Sequence, residues 1–270
     1  MSLVFLKLGG SLITDKDSTD TPNLPVLTEI SREISAAIKD DPHLHLVLGH
    51  GSGSFGHHAA HRFQTRQGVH SPEEWDGFTH VWERARALNQ IMVENLVSAG
   101  IPVISFAPSS FLVTRNHEIH NWDTTAIRAT LDHRIVPLLY GDVVLDREIG
   151  GTIVSTEELF AALAKTILPD RILLAGIEPG VWRDYQKRDG LFEQITPGFD
   201  APENYKSMQS SSIDVTGGML SKVQGMLQLI RHHPDVKVSI FTGLKSGNIY
   251  SSLMGESIGT SIEASERDMQ

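Results

Sequence analysis

Cysteine is missing from all 270 residues, so disulfides, thiolate nucleophiles and cysteine-held zinc have no part in this chain. That suits a reducing compartment, and a cytoplasmic location is the expectation. Long apolar runs are missing too. The opening MSLVFLKLGGSL is interrupted by Lys7 and by Gly9-Gly10, which leaves it too short and wrongly flanked for a signal peptide or a membrane span. The third absence is excess positive charge: 23 Lys+Arg stand against 33 Asp+Glu, a formal net charge of -10. A nucleic-acid backbone needs a basic face. Nucleic acid is therefore excluded as a partner, and any phosphate must be bound locally. Internal repeats, low-complexity tracts and long linkers are also lacking.

What is present is an ordinary globular composition, 40% hydrophobic and 21% charged, sufficient for one large α/β domain or two small ones. Short β-branched runs, each followed by glycine or a polar turn, predict buried strands at Leu3 to Leu8, Leu44 to Leu48, Ile101 to Phe106, Ile135 to Leu139, Ile172 to Leu174 and Val236 to Phe241. Helical patterns alternate with them. Ser71, Pro72 and Glu74 supply an N-cap, an N1 proline and a capping-box acid for a helix over Glu73 to Ala99, which Gly100 stops. Ser155 and Glu158 form a second capping box, opening a helix expected to reach about Leu168 before Pro169. Such alternation predicts a mainly parallel sheet covered on both faces. In these sheets ligands gather at the carboxyl ends of the strands.

Three segments at those ends carry phosphate chemistry. Lys7-Leu8-Gly9-Gly10-Ser11 runs a strand into a glycine turn and delivers a lysine; glycines let backbone N–H groups approach a phosphate and the lysine adds charge. It is neither a Walker A loop nor a dinucleotide fingerprint, and by itself it is equally an ordinary tight turn. Gly49-His50-Gly51-Ser52-Gly53-Ser54-Phe55-Gly56-His57 places four glycines in eight residues after a strand, a nest of donors leading to a helix expected near His57. Asp214-Val215-Thr216-Gly217-Gly218-Met219-Leu220-Ser221-Lys222 opens a helix with a glycine pair and sets Lys222 on its early turns, within reach of nucleotide phosphates. The plain alternative there is a capped helix with a solvated lysine.

In this order the segments resemble the amino acid kinase family and, within it, the isopentenyl phosphate kinases. The resemblance covers Lys7 to Ile262 and rests on KLGGSLITDK, GHGSGSFGHH, YGDVVLD, DVTGGMLSKV and GLKSGNIYSSLMGESIGTSI, with His57 selecting the subfamily. It implies a three-layer α/β sandwich in a single domain over 1–270, the acceptor half at about 1–165 and the ATP half at about 166–265. It further implies ATP and Mg²⁺, a prenyl monophosphate as acceptor, and isopentenyl diphosphate as product, a precursor in isoprenoid synthesis. A homodimer is expected. By the same resemblance, Lys7, Leu8 and the Gly9-Gly10-Ser11 turn meet the transferring phosphoryl and Lys16 stabilises it from the adjacent loop. Ser52 and Gly53 line the junction of acceptor and ATP, His57 holds the acceptor phosphate and Gly151 adds a backbone donor. Gly180, Gly218 and Lys222 fall to the ATP half. Two departures stand out. Ser52 replaces a usual glycine, and Ala175-Gly176-Ile177-Glu178-Pro179-Gly180-Val181-Trp182 replaces the usual Asp-Val-Asp-Gly-Val-Tyr type of nucleotide loop.

Phosphoryl transfer is accelerated mainly by positioning and by neutralising charge on the equatorial oxygens, and lysines from three segments fit that demand. A phosphate-monoester acceptor is already a nucleophile at neutral pH. His57 therefore reads as a hydrogen-bond donor to it, with a general-base role as the alternative. Phe78, Trp82 and Ala85 share one helix face and are candidates for the acceptor's apolar slot, or simply for core. His57 and His61 have the spacing of a helical metal pair, yet no acid or cysteine at matched spacing joins them, and no metal ligand is assigned. Two other readings stay open: a kinase of the same fold acting on fosfomycin or another phosphonate, and a non-catalytic nucleotide sensor.

Overall fold

The structure is a computed structural model that describes residues 2–15, 18–202 and 218–265 and, of His57 and His58, the backbone alone. The first half of the chain forms β1 (Ser2–Leu8), α1 (Gly10–Ile13), α2 (Leu24–Asp40), β2 (Leu44–His50), α3 (Gly53–Phe63), α4 (Pro72–Ser98), β3 (Val103–Phe106), β4 (Val113–Arg115), β5 (Glu118–Ile119), α5 (Thr125–Asp132) and β6 (Val136–Tyr140). There follow β7 (Asp142–Asp146), β8 (Gly150–Val154), α6 (Thr156–Ala164), β9 (Arg171–Gly176), β10 (Trp182–Asp184), β11 (Asp189–Leu191), β12 (Gln194–Ile195), α7 (Gly218–His232), β13 (Lys237–Thr242), α8 (Asn248–Leu253) and β14 (Thr260–Ile262).

Every run predicted as a strand is one, and all of them lie in one eight-stranded sheet of order β12-β14-β13-β9-β1-β2-β6-β3. From β13 to β3 the neighbours are parallel; β14 runs antiparallel to β13. The two-residue period of a strand sends alternate side chains of β1 to opposite faces. Leu3 and Phe5 pack with Leu159, Phe160, Leu163, Val223 and Leu227 beneath α6 and α7. Val4, Leu6 and Leu8 pack with Leu12, Ile34, Leu88 and Met92 beneath α1, α2 and α4. Helices thus cover both faces, the three-layer α/β arrangement. Among the described residues no helix is long and apolar enough to cross a membrane.

Both capping boxes form with both of their hydrogen bonds, at Ser71/Glu74 and at Ser155/Glu158. Two boundaries differ from expectation. α3 starts at Gly53, four residues before His57, because Ser52 O accepts the N–H groups of Phe55 and Gly56 and begins the helical ladder early. α6 stops at Ala164 rather than near Leu168. There Lys165 N–H bonds Ala162 O, while Thr166 offers both its N–H and its hydroxyl to Leu163 O. Such tight i to i+3 bonding ends an α-helix, and Leu168 beyond it is 49% exposed.

A second, four-stranded sheet, β5-β4-β7-β8, stands beside the first. Its hub is Asp146, whose carboxylate accepts Thr114 Oγ1 at 2.7 Å and the N–H groups of Asn116, His117, Glu148 and Ile149 at 2.9 to 3.1 Å. Asn116 and His117 have φ of 47° and 70°, a left-handed turn that this carboxylate stabilises. Burial pushes the Asp146 carboxyl up, but the bonds from Thr114, Glu148, His117 and Ile149 outweigh it and hold it well below the usual range. A lowered folded value contributes stability above the unfolded pKa of about 3.9 and loses it as pH falls toward the folded value. Asp146→Asn is expected to destabilise the protein by about 2 kcal/mol at neutral pH. In urea unfolding the gap to wild type should narrow once pH drops below about 4; a gap independent of pH would contradict this account.

Candidate active site

Strand parity decides where Lys7 goes. It lies on the Leu3 and Phe5 side of β1, the side covered by α6 and α7. Opposite it in β2 is Gly49; a Cβ there would strike Thr156 and come within 2.8 Å of Phe160 Cζ. Glycine therefore lets the start of α6 settle on the strand ends, where Thr156 Oγ1 donates to His50 O at 2.6 Å. The next residue, Glu157, meets Lys7: Oε1 to Nζ is 2.7 Å, with side chains 14% and 8% exposed. Burial pushes the Glu157 carboxyl up, but the charges of Lys7 and Lys222, with the hydrogen bonds from Lys7 and from its own backbone N–H, outweigh it and hold the group below its usual value. One carboxylate thus sits within electrostatic reach of lysines from β1 and from α7.

The first two glycine motifs prove to be a single construction. A Cβ on Gly10 would collide with Gly53 N and lie 2.6 Å from Gly53 Cα, and one on Gly51 would lie 2.9 Å from Gly10 N. Gly53 itself has φ of 50°. Backbone presses on backbone here, which only glycine permits. Thr14 Oγ1 locks the contact, donating to Gly10 O at 2.8 Å and accepting Ser54 N–H at 3.0 Å, while Gly51 N–H donates to Leu8 O at 3.0 Å.

The remaining candidates are distributed as follows. Leu8 is fully buried core, Gly9 N–H donates to Ala175 O at 2.7 Å, and Ser11 lies on α1. The Ser52 side chain packs against Gly56. Gly180 abuts Thr260, whose Oγ1 accepts Val181 N–H at 2.8 Å. Gly218, with φ of 65°, opens α7, and Lys222 follows one turn later. Gly151 lies under the Phe78 ring, 2.7 Å from Cε2 at its Cβ position, and its N–H is engaged by Ile149 O at 2.9 Å. It supplies close approach rather than a free donor. Phe78 joins Ala59, Ala60, Val81, Val143 and Ile153 in a small apolar cluster between α3, α4 and the β7–β8 hairpin. Trp82, one turn along, is 37% exposed with the Arg86 guanidinium 5.5 Å from its ring centre. His57 is on α3, one turn from the glycine contact. Lys16 lies outside the described residues, as do Asp214 to Gly217 of the third motif. Among the described residues no cluster of three or more His, Asp or Glu side chains could hold a metal ion.

A family model described as Amino acid kinase family matches residues 2–242. The chain belongs to the amino acid kinase family. It is similar to the isopentenyl phosphate kinase of Methanocaldococcus jannaschii, with 34% identity over 276 residues, covering 98% of this chain and 100% of that one. The isopentenyl phosphate kinase of Methanothermobacter thermautotrophicus is 31% identical over 96% of this chain and 98% of its own. A solved structure described as an X-ray structure of isopentenyl phosphate kinase superposes with a TM-score of 0.81 at 30% identity, covering 96% of this chain and 99% of that chain.

Within this kinase, Glu157 is the residue that sequence reasoning passed over. Attention went to its neighbour Glu158, which closes the capping box and also takes a two-pronged ion pair from Arg66. The available signal was an acidic pair at a helix start directly after a strand. Glu157→Gln keeps the shape but removes the charge that pairs with Lys7; kcat is expected to fall about 10-fold to 100-fold and stability by about 2 kcal/mol. Unchanged steady-state kinetics would show that the carboxylate does not organise the lysines. Gly10→Ala should wedge the two turns apart and lower both kcat, by about 100-fold, and the melting temperature. Gly225→Ala, where an added Cβ meets nothing within 4 Å, should do neither.

Proposed function

We propose that this kinase transfers the γ-phosphoryl of ATP to isopentenyl phosphate, releasing ADP and isopentenyl diphosphate. The observation that carries the reading is full-length similarity to isopentenyl phosphate kinases in a chain whose Lys7 and Lys222 act on one carboxylate at the strand ends. In the reaction an acceptor phosphate oxygen forms a bond to the γ-phosphorus as the bond to the β,γ-bridging oxygen breaks, and ADP departs with that electron pair. The acceptor needs no base to become a nucleophile, so the protein's task is alignment and charge neutralisation.

Lys7 and Lys222 neutralise the transferring phosphoryl, Lys16 adds to them from the neighbouring loop, and Glu157 holds the first two apart at a fixed spacing. Gly9, Gly10 and Ser11, together with Ser52 and Gly53, form the phosphate floor at the seam where the two turns touch. His57 donates a hydrogen bond to the acceptor phosphate. The isopentenyl tail lies along the cluster that includes Phe78, with Gly151 letting the ring pack close against the hairpin and Trp82 toward the outer rim. Gly180 and Gly218 belong to the ATP side, in a division of labour between about 1–165 and 166–265. Magnesium would enter as part of the MgATP substrate and would help neutralise charge on the phosphates. We include a cytoplasmic location and a homodimer. In support of the dimer, β3 ends the large sheet with Ile104 45% exposed, and Val97 on α4 is 57% exposed.

The test is a coupled ADP-release assay with isopentenyl, dimethylallyl and geranyl phosphates and fosfomycin. Isopentenyl phosphate should give the highest kcat/KM, and no turnover of any prenyl phosphate would retire the reading. His57→Ala should raise the acceptor KM or lower kcat by about 100-fold while ATP affinity stays near wild type. The reverse pattern would remove His57 from the acceptor site.

A further inference from the structure

His50 ends β2 one residue before the glycine seam, yet no step above uses it. Its side chain is buried, with 0% exposure. Nδ1 lies 3.1 Å from Gly51 O and Nε2 lies 3.3 Å from Asn89 Oδ1 on α4. The ring stacks on Tyr140 with centroids 5.5 Å apart and planes 8° from parallel. Its own carbonyl accepts Thr156 Oγ1 and, at 3.2 Å, Gly141 N–H. One residue therefore joins β2, α4, the β6–β7 turn and the start of α6 that carries Glu157.

Two ring nitrogens facing two oxygens would require an imidazolium, because a neutral ring has one N–H. Burial opposes that charge and, with Lys7 nearby, pushes the imidazole down to about 4 against the opposing hydrogen bonds of Gly51 and Asn89. A neutral ring is satisfied if the Asn89 amide turns by half a rotation. Its partner on the far side, Ser105 Oγ, lies 2.8 Å from Nδ2 and 3.1 Å from Oδ1, and a hydroxyl both donates and accepts. The chain then runs Ser105 O–H to Asn89 carbonyl, Asn89 N–H to His50 Nε2, and His50 Nδ1–H to Gly51 O, with every group paired. A planar trans peptide points its C=O and N–H in opposite directions. Anchoring Gly51 O on the buried ring therefore turns Ser52 N–H the other way, out of the interior.

We propose that His50 is a positioning residue for phosphoryl transfer, a neutral imidazole protonated on Nδ1 that anchors the Gly51 carbonyl and thereby aims the Ser52 N–H at the phosphates. This rests on the kinase reading for the reaction it serves. The test uses two near-isosteres. In His50→Asn the amide nitrogen falls where Nδ1 stood, keeping the Gly51 bond and dropping the Asn89 link. In His50→Gln it falls near the Nε2 position, keeping the Asn89 link and dropping the Gly51 bond. The expected split is kcat within about threefold of wild type for His50→Asn and about 100-fold lower for His50→Gln, with ATP KM little changed in both. Nitrogen-15 NMR of the wild-type ring should report Nδ1–H throughout the neutral pH range. Equal losses in the two variants, a greater loss in His50→Asn, or an Nε2–H ring would overturn the proposal. Should a variant fail to fold, the wild-type tautomer decides. A wild type inert toward every acceptor would sink the kinase reading instead, and the tautomer would still judge the anchoring of Gly51.

Discussion

Where Gly10 meets Gly53, two main chains approach more closely than any side chain would allow, and much of the site follows from that contact. It joins the turn after β1, the strand that carries Lys7, to the start of α3, the helix that carries His57. Thr14 ties the seam from below. Without the glycines the turns would separate by about the width of a methyl group, and in phosphoryl transfer a misplacement on that scale matters because alignment supplies so much of the rate.

Charge is placed with the same economy. The protein carries a formal charge of -10, a poor attractant for phosphates at long range, yet Lys7 pairs with Glu157 in a buried contact whose carboxylate also feels the charge of Lys222. The carboxylate offsets the positive charge of the buried Lys7. Its position depends on Gly49, which lets α6 reach the strand ends, and on the Thr156 hydroxyl, which fixes the helix to His50 O.

The second sheet has a different task. Asp146 gathers its turns, and the β7–β8 hairpin brings Gly151 under Phe78, beside the apolar cluster. Phosphate chemistry and apolar packing are thus assigned to separate layers, the first at the ends of parallel strands and the second between helices and a hairpin.

Local patterns were enough to find six of the eight strands of the large sheet, β12 and β14 being too short to show a period, together with both capped helices and the glycine motifs, because each depends on a short-range rule: strand alternation, capping chemistry, or freedom of backbone angles. The end of α6 was misjudged because Thr166 competes for the last carbonyl, a contest that periodicity does not register. Helix-face spacing grouped Phe78 with Trp82, yet only Phe78 joins the apolar cluster, since a face is given its partner by the neighbouring β7–β8 hairpin. Glu157 and His50 were hidden for the same reason: an acid at a helix start and a histidine at a strand end acquire meaning only when α6 and α4 are folded over them. The amino-acid sequence by itself thus determined the parallel strands, the two capped helices and the close-packed glycine turns. The tertiary structure alone decided that Lys7 meets Glu157, because their contact depends on packing between segments more than a hundred residues apart.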